Sequence, residues 1–164
     1  MLKVTKFGGS SMADAGQYRK IKDIVLSDKE RRVVIVSAAG KRFSGDHKIT
    51  DLLYLCHAHI QYGVDCSGIF DMIASRYIQI RDDLGIDLDL ETEFAQMKQR
   101  LVKKELNADE IASRGEYFSA KLMAAYLGYN FVDAADWIKF NMDGTVNTEE
   151  SYEAFRDAAA GQGV

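Results

Sequence analysis

Leu2-Lys3-Val4-Thr5-Lys6-Phe7 runs straight into Gly8-Gly9-Ser10-Ser11, and this junction decides how the rest of the chain is read. The leading residues are short and β-compatible, and the paired glycines stop them, so they form a strand that leaves into a tight loop. From Gly16 to Ser27, the residues Tyr18, Ile21, Ile24, Val25 and Leu26 recur at near-helical spacing. That spacing predicts a helix of about three turns. Asp28-Lys29-Glu30-Arg31-Arg32 is a charged surface turn, and Val33-Val34-Ile35-Val36 follows as an unbroken apolar run. Such a run is the pattern of a strand buried on both faces in a parallel sheet. Strand, helix and strand with short joints make a βαβ unit whose crossover is right-handed. The fold class is therefore α/β.

Beyond Ser37-Ala38-Ala39-Gly40 lies a polar loop, Lys41 to Lys48, and then a helix through Tyr62 for which Thr50 is the expected N-cap. Residues 66–105 read as mostly helical, with one stripe of Ile69, Met72, Ile73, Tyr77 and Ile80 and another of Phe94, Met97, Leu101 and Val102. Asn107 opens a further helix through Leu127, and Gly128 ends it. Asn130 to Asp133 and Trp137 to Phe140 are short strand candidates, Ser151 to Ala160 is a last helix, and Gly161 to Val164 reads as the approach to another strand. No repeat, low-complexity linker or domain break is visible.

The chain has 164 residues, 47% apolar and 28% charged, the balance of a soluble globular protein. At that length a fold buries roughly 70% of the surface of the unfolded chain, enough for a real core. There are 21 basic and 25 acidic residues, giving a net charge of −4, so no basic face for nucleic acid is expected. No apolar stretch approaches the ~20 residues of a membrane span, and the first residues lack the core of a signal peptide. Cys56 and Cys66 form no CxxC or Cys/His ligand pattern. These features exclude membrane and nucleic-acid partners from the expectation and make the cytoplasm the default location. Proline is absent altogether, which a helix-rich chain tolerates.

Chemistry concentrates at the first two turns. Adjacent glycines after a strand let the backbone approach an anion, the serines add hydroxyl donors, and a lysine at the strand end supplies a positive charge. This resembles a phosphate cradle, although it is neither GxxxxGK[ST] nor GxGxxG. A plain turn with a solvated lysine would carry the same residues, so the block alone leaves both readings open. Ser37-Ala38-Ala39-Gly40 repeats the logic, since ligands of open parallel sheets sit beyond the carboxyl ends of strands. His57 and His59, at i and i+2, point to different helix faces and make a poor metal pair. His47, beside Asp46 and Lys48, reads first as solvated. Asp82-Asp83 and Asp87 to Glu93 read as acidic surface, and no metal site is expected.

Lys6-Phe7-Gly8-Gly9-Ser10-Ser11, then Val34 to Gly40, then Ile49-Thr50-Asp51-Leu52-Leu53, then Ser113-Arg114-Gly115-Glu116 in a helix: in this order and spacing the chain resembles the aspartokinases of the amino-acid kinase family. The resemblance implies an αβα three-layer sandwich with a mainly parallel sheet. It implies ATP with Mg²⁺ and L-aspartate as ligands, phosphoryl transfer to the β-carboxylate, and a homo-oligomer. By position, Lys6 matches the lysine that contacts the transferring phosphoryl group. Lys6, Phe7, Gly8, Gly9 and Ser10 match the nucleotide-phosphate loop. Ser37 and Thr50 match positions holding aspartate, Glu116 matches the acid on the substrate's ammonium, and Arg114 is a weaker substrate-side candidate. The acceptor carboxylate is already ionised, so this chemistry calls for charge neutralisation and alignment and needs no general base.

The 41–48 loop is longer than in many members, and whether its basic residues reach a ligand is open. The family continues past this point with further strands, more ATP-contacting residues and regulatory domains. A three-layer kinase domain usually needs around 250 residues. Residues 1–164 are therefore expected to be the N-terminal portion of a catalytic domain, incomplete at the C-terminal side, without a regulatory domain and inactive alone. Two rivals stay open: a kinase of the same family with another acceptor, and a non-catalytic aspartate-binding or assembly module.

Overall fold

In a computed structural model of the chain, which describes residues 1–160, the element order is β1 (Lys3–Phe7), a 3₁₀ turn (Gly9–Met12), α1 (Ala15–Leu26), β2 (Arg31–Val36), α2 (Ile49–Gln61), α3 (Ser67–Leu84), α4 (Leu90–Val102), α5 (Ala108–Leu127), α6 (Ala134–Trp137) and α7 (Thr148–Ala160). The expected strand approach at Gly161 to Val164 lies outside the described residues. β1 and β2 pair in parallel, with Lys6 opposite Ile35 and Phe7 opposite Val36. Both strands thus end level, and the turns after them leave from the same sheet edge.

The βαβ reading holds, but β2 is not buried on both faces. Val4 is 60% exposed and Ile35 47% exposed, whereas Val36 is buried. Residues alternate across a strand, so Thr5, Phe7, Val34 and Val36 share the more covered face, and Val4, Lys6 and Ile35 share an exposed one. A continuous apolar run cannot reveal which of its faces will be covered.

Helix ends follow local chemistry. Asp14 caps α1 by accepting from the Gln17 amide at 3.0 Å, and Asp89 caps α4 by accepting from the Thr92 amide at 3.0 Å. Asn107 and Glu110 form a reciprocal capping box at the start of α5. The helical stretch after residue 66 splits at Gly85, whose φ of 65° ends α3 in the left-handed conformation. The buried stripe of α3 is Phe70, Ile73, Arg76, Tyr77 and Ile80, and that of α4 is Leu90, Phe94, Met97 and Leu101. Met72 and Val102, expected in these stripes, are exposed. The helices turn by about 100° per residue, and those two positions fall beyond the buried arc.

The chain divides into two compact units, Met1–Gly128 and a second one beginning at Tyr129, a boundary that composition does not mark. In the second unit the strand candidates fail. The Asp133 side chain accepts from the Ala135 amide at 3.0 Å and starts the short helix α6, a local bond that competes with strand pairing. Only Phe140 makes a bridge, antiparallel to Val146. Trp137 packs edge-on against Phe155 at 5.0 Å between centroids.

The core of the first unit centres on Phe70, Tyr77, Phe94 and Phe118, with Phe94 and Phe118 stacked at 4.2 Å. Tyr77 is wholly buried. Its hydroxyl donates to the Gly115 carbonyl at 2.7 Å and lies 3.4 Å from the Ala39 amide, joining α3, α5 and the turn after β2. Burial pushes this hydroxyl up to about 12. The folded value lies above the ordinary one near 10, so on alkalinisation the unfolded chain loses this proton first. The contribution is complete below about pH 10 and is lost toward about pH 12. Tyr77→Phe is expected to lower stability by about 1 kcal/mol at neutral pH. It should also flatten the decline of the urea midpoint over that alkaline window; a decline as steep as in the parent chain would assign it elsewhere.

Candidate functional site

The level ends of β1 and β2 bring two small-residue turns into contact. The Gly40 amide donates to the Gly9 carbonyl at 2.8 Å. A Cβ on Gly40 would sit 2.6 Å from the carbonyl carbon of Gly9, and one on Gly9 would sit 3.1 Å from the Ala38 oxygen. Backbone cannot yield to such an intrusion, so glycine at position 40 is what lets the loops cross. A third approach comes from α5, where a Cβ on Gly115 would meet the Ala38 methyl at 2.6 Å. The missing side chain lets α5 press against the turn, and the next residue, Glu116, then projects into the space between the loops.

That space is a cleft of about 430 Å³ lined by Gly9, Ser10, Ser37, Ala38, Ala39, Gly40, Lys41, Lys48, Thr50 and Glu116. Five of the residues singled out in the sequence therefore meet: Gly9, Ser10, Ser37, Thr50 and Glu116. Others do not line it. Lys6 lies exposed on the open sheet face and makes no ion pair among the described residues. Phe7 and Gly8 precede the crossing. The Arg114 guanidinium lies over the Tyr117 ring at 4.6 Å and bonds the Ser113 hydroxyl, so Arg114 turns to its own helix surface. Thr50 is not the N-cap of α2. Lys48 holds that place and Thr50 sits in the first turn, because the Ile49 amide donates to the Ala39 carbonyl at 3.0 Å and starts the helix earlier.

The sequence reading missed what holds the 41–48 loop. Asp46 is buried and accepts from Arg76 of α3 through both oxygens, each at 2.8 Å. Arg76 also donates to the Gly40 carbonyl at 3.1 Å, and Arg42 closes onto Asp46 from its backbone amide and its Nε. The Arg42 bond, helped by Arg76, holds the Asp46 carboxyl well below the usual carboxylate range. One signal was available: Arg76 falls on the apolar stripe of α3, three residues after Ile73 and four before Ile80, where a charge needs a partner. Lys41 and Lys48 were left open and prove to line the cleft.

Elsewhere the chemistry is quiet. His57 faces Gln61 at 3.3 Å and His59 faces the Asp65 carbonyl at 3.2 Å. Burial pushes the Cys56 thiol up to about 12. Among the described residues no three His, Cys, Asp or Glu side chains come together as a metal site, and no helix is long and apolar enough to cross a membrane.

Residues 1–160 match the amino acid kinase family. The chain belongs to that family. It is 34% identical over 138 residues to aspartokinase 3 of Bacillus subtilis, covering 81% of this chain and 30% of that protein. It is 30% identical over 159 residues to the chloroplastic aspartokinase 1 of Arabidopsis thaliana, covering 90% of this chain and 27% of that one. The crystal structure of Clostridium acetobutylicum aspartate kinase superposes with a TM-score of 0.93 at 41% identity, over 98% of this chain and 37% of that chain. E. coli aspartokinase III in complex with aspartate and ADP shares the fold at a TM-score of 0.75 and 23% identity, over 38% of its length. The chain thus spans about a third of the length of these relatives.

The buried pair yields a stability test. Asp46→Ala strands Arg76 without a counter-charge, an expected loss of about 3 kcal/mol. Asp46→Ala combined with Arg76→Leu should regain most of it in chemical denaturation, and a double variant no more stable than the single one would contradict the pairing. Asp46 has a depressed folded value, so its contribution is present above the ordinary carboxylate range and fades on acidification.

Proposed function

We propose that the cleft serves ATP-dependent phosphorylation of the β-carboxylate of L-aspartate, giving 4-phospho-aspartate. This is the first step of aspartate-family amino-acid biosynthesis, with lysine and threonine among its end products. The observation that carries the reading is the meeting of the Gly9–Ser10 loop with Ser37, Thr50 and Glu116 around one cleft. The resemblance to proteins named aspartokinase supports the choice of acceptor.

In this reading the amides and hydroxyls of Gly8, Gly9 and Ser10, with Phe7 before them, hold nucleotide phosphate. Ser37 and Thr50 offer hydroxyls to the aspartate carboxylates, and Glu116 pairs with its ammonium, which separates an amino acid from a simple dicarboxylate. The bond from the γ-phosphorus to the ADP oxygen breaks as a carboxylate oxygen bonds to phosphorus. No proton moves at the acceptor, and the burden falls on alignment and charge. Lys6 at the end of β1 is the proposed contact to the transferring group. It stands outside the cleft lining, so its long side chain would have to swing over the Gly8–Gly9 turn. Arg114, whose guanidinium lies over Tyr117, is given no substrate role in this proposal. Among the described residues Glu116 is the one carboxylate lining the cleft, too few ligands for a resident metal. Magnesium would arrive on the phosphate oxygens of ATP as part of that substrate. A cytoplasmic homo-oligomer completes the reading.

Glu116→Gln is expected to weaken aspartate binding by about tenfold or more in isothermal titration, with ATP binding little changed. Equal aspartate affinity in the two proteins would count against the assignment. The described residues hold one part of the proposed machinery, so the 164-residue chain alone should release little ADP in an aspartate-dependent coupled assay. Turnover within the ordinary enzyme range of about 1–1,000 per second would refute that.

A further inference from the structure

Among the described residues that line the cleft, Lys41 and Lys48 are the only cationic side chains, the others being neutral or, in Glu116, acidic. A site that brings a polyphosphate and a dicarboxylate together beside a glutamate collects negative charge. Fixed cations at that point are the usual electrostatic remedy. Both lysines are exposed, and neither has a carboxylate partner among the described residues. Arg42, the intervening basic side chain, is different: its guanidinium is committed to Asp46.

The backbone under each lysine is held. Lys41 follows Gly40, whose amide is bonded to Gly9 and whose carbonyl is bonded to Arg76. Lys48 precedes Ile49, whose amide is bonded to Ala39. Between them the loop is pinned by the buried Asp46–Arg76 pair. The two lysines are therefore rooted at held backbone positions, and ordering their side chains on a ligand costs side-chain entropy alone. Their stations differ. Lys41 adjoins the Gly9–Ser10 crossing, on the phosphate side. Lys48 occupies the N-cap of α2, where no side chain caps the helix, next to Thr50 on the acceptor side. The helix N-terminus there adds to the attraction for an anion.

Resting on the function proposed above, we infer that Lys41 and Lys48 are the anion-holding side chains of this cleft, Lys41 for phosphate oxygens of the nucleotide and Lys48 for a carboxylate of the acceptor. A lysine serves such a role as a compact point charge that tolerates movement of the transferring group.

Isothermal titration with MgATP and with L-aspartate separates the two stations, using the polypeptide as its source organism makes it. Lys41→Gln should weaken MgATP about tenfold and leave aspartate within about twofold, and Lys48→Gln should do the reverse. Lys41→Arg and Lys48→Arg should restore most of the affinity, and the losses should shrink as salt is raised. Both side chains are exposed, so unchanged urea midpoints are expected, and a loss of ligand affinity cannot then be ascribed to misfolding. Either glutamine variant binding both ligands like the parent, or the two patterns exchanged, would overturn the assignment. Should the lysine variants bind normally while Glu116→Gln loses aspartate, this inference falls and the proposed function stands. A parent protein that binds neither ligand brings down both.

Discussion

A charge pair taken out of water, Arg76 with Asp46, is the constraint on which the cleft depends. Burying two ions is costly unless hydrogen bonds compensate them, and here both partners are bonded several times over. Arg76 also donates to the Gly40 carbonyl, and Asp46 receives Arg42 as well. Because the partners sit in a surface loop and in a core helix, the loop has one low-energy place to lie. That place brings Gly40 against Gly9 and sets the first turn of α2 beside Ala39.

Around this pair the geometry is set by what is missing. Glycine at positions 40 and 115 allows approaches to Gly9 and to the Ala38 methyl that a Cβ would block, and Gly9 leaves a tight fit against the Ala38 carbonyl. Tyr77 completes the arrangement, since its single hydroxyl reaches both α5 and the turn after β2. Close backbone approaches thus lie beneath the place where polar side chains converge. Such a floor holds backbone amides and the bases of the polar side chains in place, as the proposed phosphoryl transfer between two anions would require.

Much of this was legible in advance. The first strand, its glycine stop, the crossover helix and the second strand announce themselves by period and by turn residues. Asn107, with Glu110 three positions on, and Gly128 mark both ends of α5. The meeting of Gly9, Ser10, Ser37, Thr50 and Glu116 followed from parallel strands ending level, given the family pattern. What stayed hidden depends on distant partners. Asp46 reads as one more loop acid until Arg76 is seen across from it, 30 residues away. The start of α2 is set by a bond from Ile49 to Ala39, which no capping preference encodes. The uncovered face carrying Val4 and Ile35 has the same residue types as a covered one. In the second unit, the Asp133 side chain took over a backbone amide that strand pairing would have used.

The contact of Gly115 with Ala38 has a mechanical consequence. A hydrocarbon side chain between two elements acts as a soft pad, because it can change rotamer when pushed. Here a helix backbone bears on a methyl group with nothing between them, two residues from where β2 ends. A ligand held by Glu116, as proposed, would therefore load the turn after β2 through this contact. Strain from an occupied cleft would then reach the end of β2 with no flexible side chain along the way to absorb it.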